Sequence, residues 1–161
     1  MGVPQAILDL ENRNIGDDSE PTLGPALELA AAEWRSGNRD RELCLHLLFL
    51  SWYCNIEPPH LTGYPQSAFP SPELSKLFND VYETFEARVV RDAECMYVIG
   101  LMALLTPELL GGDQATWRAR SLAFGERYRA LAPRGLAASH FEGRGAYGDY
   151  FAEQVVVSGG Y

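Results

Sequence analysis

The segment 43–54, with the sequence LCLHLLFLSWYC, constrains the fold of this chain more than any other stretch. As a helix it would be apolar on every side except at His46 and Ser51. A helix without a polar face has to be buried among other elements, so the sequence predicts a central helix here. Prolines follow directly and end that helix, which places Glu57 and His60 at its buried end, a position suited to a site.

A second apolar segment, residues 95–105, also lacks a polar face and predicts another buried helix. Three further helices are indicated by apolar residues at helical spacing. Residue types that favour helix N-caps stand at the expected starts of four of the helices, at Asn38, Ser71, Asp92 and Asp113. The predicted fold class is all-α, with about five main helices stacked as antiparallel hairpins around two buried helices.

The length of 161 residues is typical of one domain, so we expect residues 1–161 to form a single helical domain. Three parts are expected outside the main helices: an acidic N-terminal arm at 1–23, a Pro-rich loop at 55–70 and a Gly-rich C-terminal segment at 132–161. The start of the arm would also suit a short helix, and residues 16–21 have the composition of a loop. Five prolines between Ile56 and Pro72 argue against regular structure in the Pro-rich loop.

The C-terminal segment contains Gly143, Gly145 and Gly148, which predict a flexible or tightly turned backbone. Asp149 is placed to cap a last short helix through Val157. The three consecutive valines at the end of that stretch would suit a strand equally well, because periodicity does not distinguish the two over so short a run. The sequence leaves this choice open.

The net charge of -9 and the pI near 4.7 argue against nucleic acid or an anionic membrane surface as the main partner, because both would repel the chain. The predicted partner is a protein with a basic surface, and the oligomeric state is left open. No secretory signal and no apolar run long enough to cross a bilayer is present, which predicts a cytoplasmic protein. The sequence contains one lysine, Lys76, against twelve arginines. This composition suggests a GC-rich coding sequence and a bacterial source.

The familiar catalytic signatures are absent, so the sequence predicts no catalytic residue, no metal and no cofactor. Cys54, Glu57 and His60 offer three zinc-ligand types, but a tetrahedral site needs a fourth donor. His46, Glu57 and His60 would make an acid and base pair if they converged, which keeps a small hydrolase or transferase as an alternative. His140, Arg134 and Arg144 would suit an anion such as phosphate, although such residues usually belong to a solvated loop.

Two groups of residues are candidates for binding a partner. The first, in the Pro-rich loop, is Glu57, His60 and Tyr64, and the second is the acidic face of the helix after Pro72, with Glu73, Asp80, Glu83 and Glu86. We interpret the chain as a non-enzymatic protein-binding domain, most specifically a small acidic bacterial immunity or inhibitor protein that neutralises a toxin or another enzyme. A helical adaptor subunit of a larger assembly is a further alternative.

Overall fold

The computed structural model describes residues 2–13 and 20–158. Within these ranges the chain contains eight α-helices, two short 3-10 helices and no strand, which confirms the all-α prediction. The α-helices are α1 (Gln5–Arg13), α2 (Leu23–Arg35), α3 (Arg41–Ile56), α4 (Pro59–Thr62), α5 (Pro72–Val89), α6 (Ala93–Leu105), α7 (Gln114–Leu131) and α8 (Gly145–Ser158). The 3-10 helices are Pro107–Leu109 and Ala138–Phe141.

The two helices without a polar face lie in the core. Every residue of α3 from 43 to 52 is buried, and so is every residue of α6 from 94 to 103. An apolar surface on all sides of a helix is removed from water only when other helices surround it, and α3 packs on both α2 and α5. The main packing partner of α6 is α7.

Local capping signals predict the starts of three helices, α5, α6 and α7. The carboxylate of Asp92 accepts a hydrogen bond from the Cys95 N–H group, and Asp113 caps α7 in the same way. The prediction for α3 was wrong by two residues, because Asp40 is the cap and Asn38 instead accepts a hydrogen bond from the Asp40 N–H group. A carboxylate two residues closer to the helix accepts a hydrogen bond directly from a free N–H group of the first turn.

Ser71 caps α5, and this gives a test of the helix start. Its hydroxyl oxygen accepts a hydrogen bond from the Leu74 N–H group at 3.3 Å, and the serine is buried. We expect Ser71→Ala to lower the free energy of unfolding by about 1 kcal/mol, measured by urea denaturation, because one N–H group loses its acceptor. Ser67→Ala, in the exposed loop before the helix, is the control and should leave stability unchanged. Equal stability of both variants would contradict the capping role.

Helices form in the N-terminal arm, whose start the sequence allowed as a short helix, and in the Pro-rich loop. In the N-terminal arm, α1 packs on α2 and α8 and buries Ile7 and Glu11, while residues 14–19, which include most of the predicted loop, lie outside the described residues. In the Pro-rich loop, the one-turn helix α4 corrects the expectation that prolines exclude regular structure. Pro59 occupies the first position of α4, where a helix needs no N–H donor.

The Gly-rich segment ends in a 14-residue helix, α8, which settles the choice between helix and strand at its valines. The turn prediction holds at Gly143 and Gly145, which have positive φ angles, but Gly148 lies inside α8 and is buried. Helix α8 also begins four residues before Asp149, so this residue is not its cap. In the described ranges, no helix combines the length and the apolarity needed to cross a bilayer.

Candidate functional site

Helix geometry separates the residues of the predicted acid and base pair. His46 is buried in the middle of α3, whereas Glu57 is the C-cap residue of the same helix. Eleven residues at 1.5 Å per residue place them about 16 Å apart along the axis. His60 lies further on, exposed in α4. The three side chains therefore do not form one site.

His46 instead has a buried partner from the N-terminal helix. Its Nδ1 atom lies 2.6 Å from the Oε2 atom of Glu11, and both side chains are almost completely buried. The other carboxylate oxygen of Glu11 accepts a hydrogen bond from the Tyr147 N–H group at 3.1 Å. The imidazole ring also packs against the Tyr147 ring at 4.9 Å between centroids. Glu11 thus fastens α1 to both α3 and α8.

The Cys54 thiol is not suited to ligand or nucleophile chemistry. It is buried, and burial raises the pKa of the thiol to about 12, so the thiolate is disfavoured at neutral pH. His60 is exposed, away from the buried sulfur. Within the part of the chain that the structure describes, no group of three or more His, Cys, Asp and Glu side chains is placed to hold a metal ion.

The acidic face of α5 carries charges that already have local partners. Asp80 forms an ion pair with Lys76, and Glu86 lies 3.6 Å from a guanidinium nitrogen of Arg120. The other two carboxylates also have partners: Glu73 accepts a hydrogen bond from Ser71, and Glu83 accepts one from Asn79. Partnering reduces the field that this face presents to solvent. Its role as a binding surface stays a prediction.

Tyr64 and Glu57, which were expected in one loop site, have different surroundings. Tyr64 lines a small cavity of about 100 Å³ between α2 and α5, together with Leu27 and Leu74. Burial and then the charge of Glu57 raise the pKa of Tyr53, and Glu57 also contributes to the raised pKa of Tyr150. The role of the loop residues in binding stays a prediction.

An open cleft of about 210 Å³ lies between the C-terminal part of α3 and the first turns of α8. We call it the tyrosine cleft, and it is lined by Glu11, Leu23, Phe49, Tyr53, Ala146, Asp149, Tyr150 and Glu153. The Tyr53 and Tyr150 rings meet edge to face at 6.0 Å between centroids. Phe49 stacks behind Tyr53 at 5.3 Å, and this packing fixes the orientation of the aromatic wall.

The electrostatics of the tyrosine cleft favour a cation. Among the described residues that line it, none is Lys, Arg or His, and Asp149 and Glu153 are exposed carboxylic acids. The third carboxylic acid, Glu11, is buried and already paired with His46. Burial raises the pKa of Tyr150 to about 12, with smaller contributions from Tyr53 and from the charges of Glu153 and Glu57. The phenols are therefore neutral at physiological pH, and their ring faces can contact a positive group.

The C-terminal end of α3 adds to the negative electrostatic potential near the tyrosine cleft. The C-terminal end of a helix carries a partial negative charge, and a carboxylate placed there is unfavourable by about 0.3–1 kcal/mol. Glu57 is the C-cap residue of α3, and the last turn of that helix contains no basic residue. The arrangement is electrostatically unfavourable unless a cation binds nearby.

A second polar cluster is almost closed to solvent. At its centre the Glu94 carboxylate, 3% exposed, contacts four side chains. Nitrogen atoms of Arg41, Arg144 and His140 lie at 2.9, 2.6 and 2.8 Å, and the Tyr147 hydroxyl donates a hydrogen bond at 2.5 Å. Arg41 lies in α3, His140 in the second 3-10 helix and Tyr147 in α8, while Arg144 lies in the turn just before α8. The Glu94 carboxylate of α6 therefore connects four elements. The anion bound by His140 and Arg144 is thus a side chain of the protein itself.

Outer carboxylates complete this cluster. The Arg41 guanidinium donates to both oxygens of Asp92 at 2.8 and 3.0 Å, and Arg144 donates to both oxygens of Glu42. Burial alone would raise the pKa of Glu94, but hydrogen bonds from Arg144 and the other three partners outweigh it and lower the pKa to about 2. Because every charged group here has an internal partner, we interpret the cluster as the element that holds α8 in place beside the tyrosine cleft.

No family model, curated protein or solved structure matches this chain. The polar cluster around Glu94 is occupied by its own side chains, whereas the tyrosine cleft is open to solvent.

Sequence reasoning missed the tyrosine cleft because Tyr53 and Tyr150 are far apart in the chain. One local signal was present: Asp149 and Glu153 are four residues apart, so a helix places them on the same face beside Tyr150. The signal is informative only if residues 149–153 form a helix, and the sequence left helix and strand open there. Glu57 is the one predicted site residue whose charge reaches the cleft.

Proposed function

We propose that the protein is a non-enzymatic protein-binding domain that captures a basic side chain of its partner in the tyrosine cleft. The observation that carries the proposal is the lining of the cleft, with two neutral phenol rings and carboxylates but no cation among the described residues. Aromatic faces with nearby carboxylates are the usual environment for a lysine or arginine side chain taken from water.

The expected affinity of the cleft for a single side chain is modest. A cation over a tyrosine ring contributes about 0.5–2 kcal/mol, and a partly exposed ion pair contributes about 0.2–1 kcal/mol. Two tyrosines with Asp149 and Glu153 thus support a dissociation constant on the order of 1 mM for one lysine side chain. The remaining affinity for a protein partner would come from the surface around the cleft.

The most specific form of this proposal is a small acidic bacterial immunity or inhibitor protein whose partner is a toxin or enzyme with a basic surface. Supporting it are the net charge of -9 and the acidic rim of the cleft. Opposite net charges speed the encounter of two proteins and help select the partner. The acidic face of α5, with Glu73, Asp80, Glu83 and Glu86, is a second surface that would contribute to steering.

The test uses two small probes that differ in one charged group. N-acetyl-lysine amide and N-acetyl-norleucine amide have similar apolar stems, but only the first carries an ammonium group. In NMR titrations we expect the lysine probe to shift the signals of Tyr53 and Tyr150 with a dissociation constant on the order of 1 mM, and the norleucine probe to bind at least about tenfold more weakly. Equal binding of both probes would remove the basis of the proposal.

Matched variants test whether the carboxylates of Asp149 and Glu153 bind the ammonium group of the lysine probe. The double variant Asp149→Asn and Glu153→Gln keeps the side-chain shapes, and we expect it to weaken the lysine probe about tenfold, because two partly exposed charges are lost. Glu83→Gln, on the exposed side of α5, is the control and should bind the probe as the unchanged protein does. A loss of binding in the control, or none in the double variant, would place the cation elsewhere.

A further inference from the structure

Three leucines are exposed where the end of α6 lies beside the middle of α7. Leu122 is 71% exposed, Leu104 is 55% exposed and Leu105 is 50% exposed. Two adjoining grooves run past Leu122, with volumes of about 390 and 300 Å³, and both are lined by Leu104, Ser121 and Leu122. Adjacent exposed leucines beside grooves are typical of a contact surface between proteins.

Charges of opposite sign flank Leu122 on the same helix. Arg118 lies four residues before it and Glu126 four residues after it, so all three side chains share one face of α7. Both charged residues are exposed, and neither forms an ion pair with any other residue that the structure describes. Along α7 this face therefore presents a basic residue, then the apolar Leu122 at its midpoint, then an acidic residue.

We propose that this face of α7 binds a second copy of the chain around a twofold axis beside Leu122. In an antiparallel pair of identical helices, the residues equally far before and after the axis face each other. Arg118 then faces Glu126 of the partner subunit, and the same ion pair forms a second time by symmetry. Leu122 packs against Leu122 of the partner subunit, beside Leu104.

The small residues of α7 fit the same register. Ala119, which is exposed, and Gly125, which is buried in its own chain, are three residues from Leu122 on either side. Neither places a bulky side chain between the two helix backbones near the twofold axis. The complementary charges are carried by one helix, and this favours a second copy over an unrelated protein as the occupant. The inference does not depend on the tyrosine cleft, which involves other helices.

We expect a weak dimer. Each chain has a net charge of -9, so two copies repel each other at long range, and the contact surface is one helix face. In sedimentation equilibrium we expect a dissociation constant on the order of 10 μM. Leu122→Asp should raise it at least about a hundredfold, because it places a charge at the centre of the apolar contact.

A charge-exchange cycle tests the register. Arg118→Glu alone and Glu126→Arg alone should each weaken the dimer about tenfold, because each replaces two attractive contacts by two repulsive ones. The double variant exchanges the signs and restores both ion pairs, so its dissociation constant should return to within about threefold of the original.

Val156→Asp is the matched control. Val156 is 73% exposed on α8, which packs on α1, α3 and the second 3-10 helix rather than at this surface, so the substitution should leave dimerisation unchanged. Circular dichroism should show that every variant keeps its helix content. A protein that stays monomeric at concentrations about fifty times the expected dissociation constant would overturn the proposal. A double variant as weak as the single variants would overturn it too, because the copies would then meet in another register or elsewhere.

Discussion

Replacing Glu94 by alanine is expected to lower the free energy of unfolding by about 4 kcal/mol, which for a domain of this size is a large part of the total stability. Glu94 is almost fully buried and is the common partner of Arg41, Arg144 and His140. Its removal leaves partly buried cations and the buried hydroxyl of Tyr147 without their shared acceptor. Loss of one partner from such a network costs more than the ion pair contributes net.

Urea denaturation followed by circular dichroism measures this difference. Glu83→Ala is the control, because Glu83 is an exposed carboxylate whose hydrogen-bond partner lies one turn away on the same helix. Surface substitutions of that kind usually change stability by less than about 0.5 kcal/mol. Similar values for the two variants would show that the Glu94 cluster does not hold the fold together.

The same carboxylate predicts a pH dependence with a defined sign. The pKa of Glu94 falls from its ordinary value of 4.5 to about 2 in the folded protein, because hydrogen bonds from Arg144 and three other groups outweigh the effect of burial. A lowered folded-state pKa contributes stability above the unfolded pKa, and this contribution is lost as the pH falls through the folded pKa. About 3 kcal/mol should therefore disappear between pH 5 and pH 2.

Glu94→Gln isolates this contribution, because glutamine does not titrate. The difference in unfolding free energy between the unchanged protein and Glu94→Gln should be constant above about pH 5 and shrink by about 3 kcal/mol toward pH 2. Other carboxylates titrate in both proteins and cancel in the difference. A difference that does not change with pH would contradict the lowered pKa.

Gly148→Ala is the second substitution with a large expected effect, a net loss of about 3 kcal/mol. A Cβ atom at this position would overlap the Phe141 carbonyl oxygen and lie 2.9 Å from the Cβ atom of Arg144. The carbonyl belongs to backbone, so α8 and the second 3-10 helix would have to separate. Phe141, the last residue of that 3-10 helix, is fully buried, and its packing would be disturbed.

The sign of the change in stability shows whether steric overlap with the Phe141 carbonyl group or the higher helix propensity of alanine dominates. In a helix without close neighbours, alanine is favoured over glycine by about 1 kcal/mol, so Gly148→Ala would be stabilising if space were available. Ala87→Gly, on the exposed side of α5, measures that propensity contribution separately and should destabilise by up to about 1 kcal/mol. Thermal or urea denaturation of both variants gives the comparison. A more stable Gly148→Ala protein would show that the backbone contact is not tight.

Much of the fold could be predicted because its signals act between residues that are close in sequence. The burial of α3 and α6 follows from the absence of a polar face, which the neighbouring residues of each helix determine. The caps at Ser71, Asp92 and Asp113 follow from hydrogen bonds that reach three residues ahead. The helical character of these segments was therefore readable without any knowledge of how they pack.

The candidate site was only partly predictable. Glu57 was expected at the end of the buried helix, and its charge does act on the tyrosines of the cleft. Tyr150 and Glu153 were not expected at a site, because the sequence left residues 149–157 open between helix and strand and did not indicate that they pack beside α3. Gly148 is present because the backbone of Phe141 approaches closely, and this reason is visible only when the two segments are placed side by side.

The sequence by itself determined that the fold is all-α, that α3 and α6 are buried, and that the protein is acidic. Tertiary structure alone decided that Glu11 meets His46, that four elements share the Glu94 carboxylate, and that Tyr53 lies beside Tyr150. Helix formation and capping depend on groups within about four residues of each other. Partners from different helices depend on how those helices are oriented in the packed core, which periodicity along a single helix does not specify.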